Sequence, residues 1–116
     1  MVVVEETAKV AYAYLLRNQE IVADVWLWNR EVAPDDEWQD PANLPFRNMP
    51  VFMSEEPAPV VSEADLGCSW STSEDGRVIA TLEVDGQPFA RLWPGAKPGE
   101  SRLARAASRV ALPLSS

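Results

Sequence analysis

A period of two in side-chain size and polarity runs through two regions of the chain, 10–30 and 66–94, and it predicts a mainly β protein with a minor α component. In the first stretch Val10, Tyr12, Tyr14 and Leu16 alternate with Ala11, Ala13 and Leu15, and Ile21 to Arg30 continues the same period. A two-residue loop at Asn18-Gln19 joins them into a β-hairpin within residues 1–32, with Leu16 opposite Ile21, Tyr14 opposite Ala23, Tyr12 opposite Val25 and Val10 opposite Leu27. Gln19 is a poor residue for the positive φ of such turns. A helix over 5–17, rich in Ala, Leu, Lys and Glu, is the alternative.

Residues 66–94 predict a three-stranded meander. Asp85-Gly86 between Arg77–Val84 and Gln87–Trp93 is a strong hairpin signal, and it sets Leu82 opposite Phe89, Ala80 opposite Arg91 and Val78 opposite Trp93. A three-residue loop with Gly76 in the left-handed conformation places Leu66, Cys68 and Trp70 on the face of Val78, Leu82 and Val84. A loop one residue different would send those three to the other face. Ser101 starts a short C-terminal helix over 101–112, with Leu103, Ala106, Ala107 and Val110 as its apolar stripe and Pro113 as its stop. The expected architecture is about five antiparallel strands in one sheet or a small open barrel, covered by that helix, in a single domain spanning 1–116.

Between the two β regions the pattern breaks. Residues 33–65 carry Pro34, Pro41, Pro45, Pro50, Pro57 and Pro59, which forbids helix and central strand. The same stretch holds Trp38, Leu44, Phe46, Met49, Val51, Phe52 and Met53, more large apolar groups than a disordered linker carries. It reads as an ordered acidic arm pinned to the sheet.

Composition narrows the chemistry. The chain contains no histidine and one cysteine, Cys68, which removes imidazole catalysis, disulfides within the chain and Cys-rich metal sites. No cofactor and no metal site is expected. A single unpaired thiol, no signal-peptide pattern at Met1 to Glu6 and no apolar run of membrane length point to a soluble cytoplasmic protein. GxGxxG and GxxxxGK[ST] are absent, and Gly95 to Gly99 is a connector.

Charge is uneven. Of a net −8, residues 1–66 hold 4 basic and 13 acidic groups, a balance of −9, while residues 67–116 come to +1. Such a field repels nucleic acid and anionic lipid and attracts a basic protein surface. Arg102, Arg105 and Arg109 are too few for a nucleic-acid footprint and suit pairing with the acidic half.

These features predict a non-enzymatic module that binds another protein with a basic surface, such as an acidic immunity or antitoxin-type protein, an adaptor or an assembly subunit. The residues expected to meet the partner are Asp35, Asp36, Glu37, Trp38, Asp40 and Phe46, a solvated acidic loop with two aromatic anchors. Trp26 and Trp28, pointing to one side of the hairpin, are a candidate aromatic platform for a small ligand, or else core. Cys68 is expected in the core. Carboxylate-only hydrolysis by Asp35 or Asp36 with Glu55, Glu56 or Glu83 is the enzymatic alternative.

Overall fold

The computed structural model describes residues 1–115. Strands β1 (Val2–Glu6), β2 (Val10–Arg17) and β3 (Glu20–Asn29) form an antiparallel sheet in that order. A second sheet runs β4 (Leu66–Thr72), β5 (Val78–Val84), β6 (Gln87–Leu92), β7 (Glu100–Ser101) and β8 (Leu112–Pro113), with only the β7–β8 pair parallel. The fold is mainly β, but the expected single sheet is two sheets, neither of them closed. The strand at Val2–Glu6 was not foreseen, and residues 10–17 are strand, not helix.

Asn18 (φ 53°) and Gln19 (φ 68°) are both left-handed, as a two-residue type I′ loop requires. Leu16 therefore faces Ile21 and Arg17 faces Glu20, but the expected register holds only there. Shifts between Leu15 and Leu16 and between Ala11 and Tyr12 leave Val22 and Leu27 as extra residues on β3, so Tyr14 meets Asp24, Tyr12 meets Trp26 and Ala11 meets Trp28. Adjacent β2 residues point to opposite faces. The bulge at Leu27 therefore sends Trp26 and Trp28 to opposite sides of the sheet. Trp28 packs edge-to-face on Phe89 of the second sheet (5.6 Å between centroids), while Trp26 shares the other face with Tyr12, whose hydroxyl donates to the Phe46 carbonyl at 2.5 Å.

Within residues 33–65, the stretch 38–53 covers that other face, and residues 57–63 pass to the Trp28 side. The segment contains short 3₁₀ turns at Glu37–Gln39, Pro41–Asn43, Pro50–Phe52 and Glu63–Asp65, and Trp38, Phe46 and Met53 pack against the core. Arg102 pairs with Glu56 (3.2 Å), and Arg105 and Arg109 donate to the carbonyls of Val51 and Trp38 (2.9 and 3.2 Å), so all three arginines tie this segment down.

In the second sheet Leu66 faces Val84, Cys68 faces Leu82 and Trp70 faces Ala80, the face predicted from the three-residue loop, and Gly76 has φ 84°. Asp85 and Gly86 are left-handed, but one extra residue at Phe89 moves Leu82 opposite Ala90 and Ala80 opposite Leu92.

No α-helix occupies 101–112. The backbone there is used by partners distant in sequence: Arg102 N–H donates to Phe89, Ser54 N–H to Leu103, Arg105 N–H to Phe52, Trp26 N–H to Val110 and Leu112 N–H to Gly99. A helix of this length is marginal alone, and these long-range bonds outweigh its local preference.

Candidate functional site

Four strand edges bound the two sheets, and two of them are closed. The outer edge of β3 is capped: Gly95 N–H donates to Val22, Asp24 N–H to Ala96, Gly99 N–H to Asp24 and Trp26 N–H to Val110, at 2.8–3.0 Å. Strand β8 is two residues long and contains Pro113, which has no N–H to offer. The edges of β1 and β4 remain open.

Hydrogen bonding fixes which groups they present. Met1 and Leu16 exchange bonds, and Thr7 N–H donates to Val10, so the odd residues of β1 bond inward to β2. Val2, Val4 and Glu6 therefore turn their backbone outward. On β4, Asp85 N–H donates to Asp65 and Ser73 N–H to Arg77, which turns the backbone of Leu66, Cys68, Trp70 and Thr72 outward by the same alternation. The Leu66 N–H donates to the Glu63 carbonyl and closes the 3₁₀ turn before β4. The other outward groups have no hydrogen-bond partner among the described residues.

Between the two open strands lies a groove of about 600 Å³. Val2 and Val4 wall it on one side, Leu66 and Cys68 on the other, and Trp28 and Leu82 lie beneath. Its rim carries Glu6 and Glu63. The Glu6 carboxylate accepts from Trp28 Nε1 (2.5 Å) and from Arg30 Nε (2.8 Å), and the Arg30 guanidinium stands 5.4 Å over the Trp28 ring, so this end of the floor is fixed. Apolar exposure continues along β4 and β5 outside the groove, where Trp70 is 52% and Val78 46% exposed.

Cys68 is exposed, not core, because β4 is an edge strand with nothing beyond it. Partial desolvation pushes its thiol pKa up, offset in part by the N-terminal ammonium. It is therefore a thiol, not a thiolate, at neutral pH.

The residues expected at a partner interface lie elsewhere and divide. Asp35 and Asp36 are exposed, and Asp40 accepts from Ala42 N–H at 2.9 Å to start a 3₁₀ turn. Glu37 is 1% exposed, which corrects the expectation of a wholly solvated loop. Its carboxylate accepts from Arg47 Nε (2.9 Å), from an Arg47 terminal nitrogen (2.8 Å) and from Arg47 N–H (3.0 Å). Those hydrogen bonds hold Glu37 below the usual carboxylate range. Trp38 donates to the Arg47 carbonyl (2.9 Å) and stacks on Phe52, and Phe46 is half-buried. None of the six lines the groove.

Trp26 and Trp28, at 0% and 1% exposure, present no face to solvent, which removes the platform they were expected to offer. A smaller cavity of about 260 Å³ lies on the face of Tyr12 and Tyr14, closed by Leu44, Phe46 and Arg109. Asp24 in it has a raised pKa, chiefly from desolvation, with Lys97 opposing. Among the described residues no three Asp, Glu or Cys side chains gather as a metal site. No helix is long and apolar enough to cross a membrane.

No protein-family model matches the chain, no curated protein matches it in sequence, and no solved structure matches its fold.

Proposed function

We propose that this chain is a non-enzymatic, cytoplasmic protein-interaction module that binds a partner with a basic surface, acting as an immunity or antitoxin-type protein, an adaptor or an assembly subunit. The observation that carries the reading is the groove between the open edges of β1 and β4, with Val2, Val4 and Leu66 in its walls and Glu6 and Glu63 of the acidic half on its rim. Exposed apolar surface rimmed by charge is the composition of an interface, and the −9 balance of residues 1–66 gives it a preference for positive partners. Asp35 and Asp36 add to the field at a distance. The bonds of residues 33–65 to the arginines and to Tyr12 favour a structural role for this segment as an ordered arm. Neither the groove nor the cavity at Tyr12 and Tyr14 is lined by Asp35 or Asp36, which disfavours the carboxylate-hydrolase alternative.

Affinity purification of the chain from its native cell, with identification of co-eluting proteins, tests the proposal. The expected result is a basic partner whose association slows as salt rises. A chain that elutes alone and monomeric at low salt, or a partner indifferent to salt, contradicts it.

A further inference from the structure

The interaction-module reading leaves open how a partner is held, and β4 supplies a specific answer. Strands at sheet edges are ordinarily protected by charge, proline, bulges or brevity, because unpaired N–H and C=O groups recruit other strands. Strand β8 is short and carries proline, the β3 edge is capped, and β1 ends in Glu5 and Glu6. Strand β4, Leu66-Gly67-Cys68-Ser69-Trp70-Ser71-Thr72, has none of these protections. It contains no charge and no proline, it pairs with β5 without a bulge over all seven residues, and every residue except Leu66 is exposed. The side chains beside its outward backbone, those of Leu66, Cys68 and Trp70, form one apolar strip that begins in the groove.

We infer that β4 is a strand-addition site: an extended segment of a partner protein, about seven residues long, pairs with the Leu66 carbonyl and the outward backbone of Cys68, Trp70 and Thr72 and lays alternate apolar side chains along the strip and into the groove. This inference rests on the interaction-module reading and deepens it.

Charge selects the occupant. Glu63 and Asp65 stand at the start of β4, and Glu74 and Asp75 follow its end. A segment flanked by lysine or arginine meets opposite charge at both ends. A second copy of this chain, with its own net −8, brings acid to acid whether the two β4 strands run parallel or antiparallel. The partner is therefore a basic-flanked, alternating apolar segment.

The test uses the full chain and a nine-residue peptide of sequence Lys-Lys-Val-Thr-Val-Thr-Val-Lys-Lys, with binding followed by Trp fluorescence. Three comparison peptides accompany it: one with Pro at the central Val, one N-methylated on alternate backbone nitrogens, and one with Glu in place of every Lys. The expected result is saturable binding of the first, weakened at least tenfold by each change. Cys68→Pro removes one outward N–H without touching the β4–β5 ladder, and it should weaken binding by a similar factor while the melting temperature stays close to wild type. Should that variant fail to fold, the peptide comparisons on the wild-type chain decide alone. Equal binding of the N-methylated peptide, no binding of the parent peptide, or dimerisation through β4 that the peptide does not displace would each overturn strand addition. A native basic partner that binds Cys68→Pro as tightly as wild type also overturns it, yet leaves the interaction-module reading standing. If no basic protein or peptide associates at any salt, that broader reading fails first.

Discussion

Strands β3 and β4 look alike in sequence and end in opposite circumstances. Both alternate, both contain tryptophan and both lie next to a hairpin turn. Yet β3 is covered on both faces from Val25 to Trp28 and capped along its outer edge, whereas β4 is exposed almost throughout and has no neighbour beyond it. The difference lies in what surrounds each strand. Residues 38–53 and 95–111 fold back onto the β2–β3 sheet and its edge, whereas β4 meets only Val61, Ser62 and Glu63 at its start, and Ser69 to Thr72 stand clear of both segments. The strand with the most layers over it carries stability, and the one with the fewest is free to carry recognition.

Breaking that contrast should give its largest effect at Trp28. Trp28→Ala empties a fully buried site and is expected to cost about 3–5 kcal/mol in a urea titration, against less than about 1 kcal/mol for the half-exposed Trp70→Ala. Equal costs would erase the distinction between the strands. Next comes the buried pair under residues 33–65. Glu37→Gln leaves the buried Arg47 guanidinium with only the exposed Glu31 carboxylate (3.0 Å) as an ionic partner and is expected to cost about 3 kcal/mol. Because the folded pKa of Glu37 is depressed, its stabilisation is full above the ordinary glutamate pKa and is lost as pH falls through the folded value. The wild type should therefore lose stability on acidification, with a shallower loss over that window in Glu37→Gln. Smaller again is the effect of Ser69→Pro, which removes an inward ladder bond and is expected to cost about 1–3 kcal/mol, more than Cys68→Pro at the outward neighbour. Thermal melts of the two compare the faces of one strand. The smallest effect belongs to Asp35→Asn with Asp36→Asn, both exposed, where stability should move by less than about 0.5 kcal/mol.

Much of the local structure was legible because it rests on local chemistry. The loops at Gly76 and Asp85-Gly86 form where turn residues and alternation agree, the Asn18-Gln19 loop forms on alternation despite Gln19, and the face shared by Leu66, Cys68 and Leu82 follows from the apolar pattern together with the three-residue loop. Bulges were not legible. The extra residues Val22, Leu27 and Phe89 are apolar like their neighbours, so nothing in the pattern marks a change of register, yet the one at Leu27 reverses the side of Trp28. The C-terminal helix failed because its backbone is claimed by Phe52, Phe89 and Trp26, residues distant in the chain. The groove was missed for a related reason. Cys68 reads as core because it shares an apolar face with Leu66 and Trp70, and only the sheet order shows that no strand lies beyond β4 to cover Cys68 and Trp70. A signal was present on the other face, where Gly67, Ser69 and Ser71 are small and uncharged, a composition suited to a strand awaiting a neighbour. Glu37 resembled its acidic neighbours because its partner, Arg47, is ten residues away.

Residue-resolved amide hydrogen exchange along β4 tests the central claim most directly, in the free chain and with the lysine-flanked peptide. In the free chain the amides of Gly67, Ser69 and Ser71, which bond to β5, should be protected, and those of Cys68, Trp70 and Thr72 should exchange freely. Adding the peptide should protect the second set and leave the first unchanged. Protection of Cys68 and Trp70 in the free monomer, or no gain in their protection when the peptide is bound, would contradict the claim that β4 is an open edge awaiting a partner strand.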